Sequence, residues 1–130
     1  MLSRRSILFA AAAASAAAVA PVSAAGPQPF DDAAFAAAQK AGKPIFIGIH
    51  ASWCPICKAQ APILAELMAD SKFKTLAYFT IDFDSQKDLV RRFGAQKQST
   101  LISFKGANEQ GRSVGDSNRD SIAALLNKVL

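Results

Sequence analysis

Cys54 and Cys57 are the two cysteines of this 130-residue chain, and they stand three positions apart. At the start of a helix that spacing puts the two sulfurs one turn from each other. The free N–H groups and the dipole of a helix N-terminus favour an anion, so the first thiol ionises below its usual pKa of about 8.5. Pro55 fits the first helical turn, where its missing N–H costs nothing. Cys57 is then placed to attack a mixed disulfide formed on Cys54. A bridge between neighbours so close in sequence adds little stability by loop entropy. The pair reads as chemical, not structural.

The surrounding pattern supplies that position. Pro44 to His50 is apolar on both alternating faces, as a strand covered on two sides should be. A helix is predicted from Cys54 to Asp70, kinked at Pro62, where a hydrogen bond is lost. Leu76 to Phe83 reads as a second buried strand, and Gln86 to Phe93 as a short helix stopped by Gly94. Leu101 to Phe104 and Gly111 to Val114 form a hairpin around Gly106-Ala107-Asn108. Upstream, Ala25 to Pro29 reads as a linker. Asp31 caps a helix over Asp31 to Ala41, with Phe30 and Phe35 spaced as a hydrophobic staple and Gly42 as its stop. Ser117 to Leu130 is an amphipathic helix, with Ser117 and Asp120 spaced as a capping box and Ile122, Leu125, Leu126 and Val129 on one face. Strands alternating with helices, then a hairpin, predict an α/β fold: a central mixed sheet of about four strands, flanked by helices on both faces.

The first 25 residues have a different character. Arg4 and Arg5 precede an alanine-dominated apolar run from Ile7 to Val19, and Val22-Ser23-Ala24 ends it with small residues. That order predicts a secretory signal peptide over residues 1–25 and one domain over residues 26–130. The run is short for the hydrocarbon core of a bilayer, about 30 Å. Ser3-Arg4-Arg5 with Leu8 also resembles a twin-arginine signal, so both export routes stay open, and either leads out of the cytoplasm, to the periplasm of a bacterium. Without Arg4 and Arg5 the 15 Lys and Arg fall to 13 against 10 acidic residues, a net charge of +3 instead of +5. Scattered charge with no basic block argues against a nucleic-acid partner.

Ala51-Ser52-Trp53-Cys54-Pro55-Ile56-Cys57-Lys58 resembles the W-C-x-x-C-K site of the thioredoxin family. Pro62-Ile63-Leu64 is similar to the kink that follows it. Phe93-Gly94 and Thr100-Leu101-Ile102-Ser103-Phe104-Lys105-Gly106 resemble its Y-G and P-T-L-x-x-F-K-x-G segments, in the same order. The resemblance implies the thioredoxin fold, Cys54 as nucleophile, Cys57 as resolving thiol, and proteins bearing disulfides or dithiols as substrates. It implies no cofactor beyond the Cys54–Cys57 disulfide. Trp53, Gln98, Ser99 and Thr100 are the expected substrate contacts, and Pro55, Lys58 and His50 support the pair. A monomer is expected, with a separate redox partner, for which the membrane is one place, resetting the dithiol.

Two departures from the family pattern stand out. Ser99 occupies the place of the family's cis-proline. A cis bond before a non-proline residue costs about 2.5–4 kcal/mol, so a trans Gln98–Ser99 bond is predicted, with the Ser99 hydroxyl free to donate to a cysteine sulfur. Gly48 stands where the family carries a buried Asp, and Tyr78 where it carries the matching Lys. The one nearby group that titrates near neutral pH is His50, read either as a proton acceptor for Cys57 or as a partly exposed strand-end side chain. Cys-Pro-Ile-Cys leaves the direction of electron flow open, with reduction favoured. The alternative chemistry is a carrier of copper(I) or another soft metal on Cys54, Cys57 and His50.

Overall fold

The computed structural model describes residues 13–14 and 26–130. The predicted signal peptide therefore lies almost wholly outside the described residues. Among those residues, no helix is long and apolar enough to cross a membrane.

Ten short segments build one mixed sheet and its cover. In chain order they are β1 (Gln28–Pro29), α1 (Asp32–Lys40), β2 (Pro44–His50), α2 (Pro55–Met68), a 3-10 turn (Ser71–Phe73), β3 (Ala77–Asp82), α3 (Lys87–Arg92), β4 (Thr100–Lys105), β5 (Asn108–Val114) and α4 (Arg119–Asn127). The sheet order is β1-β3-β2-β4-β5. The β1–β3 and β3–β2 pairs are parallel, while β2–β4 and β4–β5 are antiparallel.

Alternation along β2 divides the core. Ile45, Ile47 and Ile49 face a cluster with α1 and α3, where Phe35, Phe79, Phe93 and Phe104 are buried. Their rings meet mostly edge to face, and Phe30 joins them 5.2 Å from Phe35, centroid to centroid. Each such ring, fully buried, contributes about 1.5–3 kcal/mol. The guanidinium of Arg92 lies over three of these rings and pairs with Asp32. Phe46 points the other way, into a cluster under α2 and α4 with Leu64, Leu67, Phe73, Leu101, Ile122 and Leu126. Gly111 lets α4 come close, since a Cβ there would stand 2.8 Å from Leu125 Cδ1.

Asp31 caps α1 through Ala34 N–H at 2.8 Å, as its position predicts. Three local expectations are corrected. The predicted linker carries a fifth strand: Phe30 is drawn into the aromatic cluster, and Gln28–Pro29 pairs with Phe79 and Thr80. An edge strand tolerates Pro29, which has no N–H to offer. The predicted hairpin turn is tighter than read, because Asn108 already pairs with Lys105. α4 is capped by Asn118, which accepts from Ser121 N–H at 3.0 Å, and not by a Ser117–Asp120 box. Asp116 decides this by accepting from Asn118 N–H at 2.9 Å and from the Ser121 hydroxyl, which shifts the helix start.

Candidate functional site

The parallel strands β2 and β3 end on the same side of the sheet, at His50 and Asp82, which are register partners. The chain leaves β2 through Ala51-Ser52-Trp53, and Cys54 N–H donates to Ala51 O at 3.2 Å, turning it sharply into α2. Cys54 is the N-cap of α2, with extended backbone, and its sulfur accepts from Cys57 N–H at 3.1 Å. Pro55 takes the first helical position, and Pro62 sits inside the same helix.

Burial opposes ionisation of Cys54. Hydrogen bonds from the Cys57 thiol, the Cys57 N–H, the Gln98 side chain and the Ile56 N–H outweigh it and hold the Cys54 thiol below its ordinary pKa. Cys57 moves the other way. Burial is the main cause, and donating to Cys54 favours its protonated form further, against weaker contacts from Ala51 and Ser99 N–H. The two thiols are thus shifted in opposite directions, Cys54 toward the anion and Cys57 toward its protonated donor. Cys54 is fully covered, whereas Cys57 is partly exposed.

The loop before β4 brings Gln98, Ser99 and Thr100 to the pair. No cis peptide occurs among the described residues, so the Gln98–Ser99 bond is trans. Ser99 takes a left-handed φ of 57°, a conformation that costs an L-residue about 1–2 kcal/mol. Gly115 N–H, at 3.1 Å, and the Gln60 amide both donate to its carbonyl and hold it there. The expected bond from its hydroxyl to a sulfur does not form. The hydroxyl turns back to Gln98 O at 2.5 Å, and the Ser99 backbone N–H faces Cys57 instead. Thr100 is fully buried, its hydroxyl bonded to Lys97 O at 2.6 Å. Trp53 is 55% exposed, and Lys58 and His50 are exposed as well.

Two residues missed in the sequence complete the site. Asp84 accepts from the Trp53 indole N–H; the Asp-Phe-Asp-Ser run that starts on the last residue of β3 is the turn signature that marks it. Gln60, 3% exposed, donates to Asp116 O at 2.7 Å. One helical turn after Cys57 on an otherwise apolar face, it gave no signal of a partner. Among the described residues, no three His, Cys, Asp or Glu side chains gather as a metal would need.

Behind Cys57 lies a cavity of about 490 Å3 between α2 and the sheet. Gly48 opens it: a Cβ there would stand 3.3 Å from the Tyr78 hydroxyl. Cys57, His50 and Lys58 share its lining with Ala61, Leu64 and Tyr78.

A thioredoxin family model matches residues 27–128. Thioredoxin from Chlamydia muridarum is 33% identical over 84 residues, covering 65% of this chain and 80% of its own length. Thioredoxin from Pseudomonas aeruginosa is 32% identical over 87 residues, 67% of this chain and 80% of its own. Among solved structures, Trxlp from Edwardsiella tarda superposes with a TM-score of 0.75 at 36% identity, covering 78% of this chain and 98% of that one. Thioredoxin NaTrxh from Nicotiana alata gives 0.67 at 27% identity, over 75% and 82%.

Proposed function

The chain belongs to the thioredoxin family, and from that premise we propose that it works outside the cytoplasm, reducing protein disulfides through Cys54 and Cys57. Thiol–disulfide oxidoreductase activity comes with the family, whose members act on disulfide-bearing proteins with no cofactor beyond the active-site disulfide. The observation that carries the assignment of roles is the Cys54 sulfur at the start of α2, accepting from Cys57 N–H at 3.1 Å.

Cys54 thiolate attacks a substrate disulfide, forming a mixed disulfide and releasing one substrate thiolate. Docking displaces the Gln98 side chain from the Cys54 sulfur, while exposed Trp53 and Ile56 offer an apolar contact. Cys57 then gives up its proton, with water and His50 as the acceptors along the shared cavity lining. Its thiolate attacks the Cys54 sulfur, closing the Cys54–Cys57 disulfide and freeing the reduced substrate. The signal-like residues 1–25 support export, and the working unit is a monomer renewed by a separate electron donor.

The deciding experiment follows insulin reduction by the metal-free chain, with the potential of the pair set against glutathione buffers. A potential near −270 mV, about that of thioredoxin, and loss of activity in Cys54→Ser support reduction. A potential near −120 mV, about that of DsbA, reverses the direction. Activity that survives Cys54→Ser removes the assignment altogether.

A further inference from the structure

Gln60 is the one polar side chain among the buried residues of α2; its companions are Leu64, Leu67 and Met68. A buried amide is costly unless its N–H groups find acceptors, and here both do. Nε2 donates to Asp116 O at 2.7 Å and to Ser99 O at 3.4 Å. Both partners are carbonyls, so only the donor end of the amide can face them. The Asp116 side is firmly placed, because its carboxylate accepts from Asn118 N–H and the Ser121 hydroxyl at the start of α4. The second N–H then meets the carbonyl of Ser99, whose φ is 57°. A non-glycine residue keeps such a φ only where its surroundings hold it.

The effect of that hold is seen at Cys54. Ser52, Trp53, Pro55 and Ile56 around it are all exposed, yet Cys54 itself is 0% exposed. The cover on its sulfur is therefore local. Gln98, next to Ser99, bonds that sulfur through its side chain. Gly115, which donates to Ser99 O at 3.1 Å, closes in from the other side, where a Cβ would stand 3.8 Å from Ile56 Cδ1.

We propose that Gln60 is a positioning residue that sets the substrate range of the dithiol, by holding the Ser99 loop as a cover over the Cys54 sulfur. The inference rests on the disulfide exchange proposed above and concerns which disulfides reach it. A protein chain lying along Trp53 and Ile56 brings enough contact to displace Gln98. A small disulfide brings almost none and meets a covered sulfur. The grip of Gln60 makes that displacement costly, and so favours protein disulfides over small ones.

The test compares the full chain with Gln60→Met, which keeps the length of the side chain and removes both donors. With each protein reduced beforehand, the rates of reduction of insulin and of bis(2-hydroxyethyl) disulfide are measured. Expected is a gain of about threefold or more on the small disulfide, the factor that one lost hydrogen bond supports, with no gain on insulin. Alkylation of Cys54 by iodoacetamide should quicken in parallel. Phe35→Ala, which loosens the fold from the opposite face of the sheet, should show neither gain. Gln60→Asn keeps the amide one methylene short of both carbonyls, and carries the same expectation if Gln60→Met does not fold. An unchanged rate on the small disulfide, an equal change on both substrates, or the same gain in Phe35→Ala overturns the proposal. A wild type that leaves insulin intact removes protein-disulfide exchange, while faster Cys54 alkylation in Gln60→Met would leave the cover standing.

Discussion

Trp53 and Asp84, 31 positions apart in sequence, are joined by a hydrogen bond of 2.7 Å from the indole N–H to Oδ2. Asp84 is itself held by its N–H, which donates to Asp82 Oδ1 at 3.0 Å, in a turn that Ser85 N–H and hydroxyl also secure. The end of β3 therefore fixes the indole that borders the cysteines. Asp84→Ala should cost about 1 kcal/mol or less in stability, since the bond is exposed, but should shift the emission of Trp53, the one tryptophan. It should also raise the KM for insulin while sparing small disulfides. An unchanged emission spectrum would show the indole is not held by this bond in solution.

The same turn makes an acid response. Bonds from Ser85, its N–H first, hold the Asp82 carboxyl below its usual pKa. A lowered pKa gives stability above the unfolded value that is lost as pH falls through the folded one. Trp53 emission should accordingly change below about pH 4, near the ordinary carboxylate pKa, and the acid loss of stability should be smaller in Asp82→Asn.

Alkylation of the reduced protein resolves the two thiols. Cys54 should react with a midpoint below the ordinary thiol pKa and Cys57 with one above it. Among the groups that lower the Cys54 pKa, the Cys57 thiol is the largest, so Cys57→Ala should move the Cys54 midpoint upward. Ser99→Ala should leave the Cys57 midpoint in place, because the N–H and not the hydroxyl faces its sulfur.

Tyr78 is the single tyrosine of the chain, so its titration can be read directly in the ultraviolet. Burial pushes it from 10.0 to about 12. A raised pKa gives stability that is present below the unfolded value and lost as pH rises through the folded one. The native fold should lose up to about 3 kcal/mol between those two values, and Tyr78→Phe should abolish that loss.

Phe35 touches Phe30, Phe79, Phe93 and Phe104. Phe35→Ala should destabilise by about 3–5 kcal/mol, as truncation of a buried ring does, measured by urea unfolding.

Legibility in the sequence followed periodicity. Pro44–His50 was readable to the residue because six consecutive apolar or small positions, ended by His50, leave few alternatives. The cysteine turn was readable because Pro55 and the spacing act locally. Gln28–Pro29 was not, since two residues carry no period and Phe30 acts through rings far along the chain. The Asn118 cap depended on a bond from Asp116, and the burial of Thr100 on strands to either side of it. Gln60 contacts backbone carbonyls 39 and 56 positions away, where residue type imposes no pattern.

That last contact has a mechanical consequence. One amide ties the cysteine helix to the Ser99 loop and to the approach of α4, so the three segments are held as one piece. A movement of α2 at Gln60 stretches these two bonds unless the Ser99 loop and the Asp116 turn move with it.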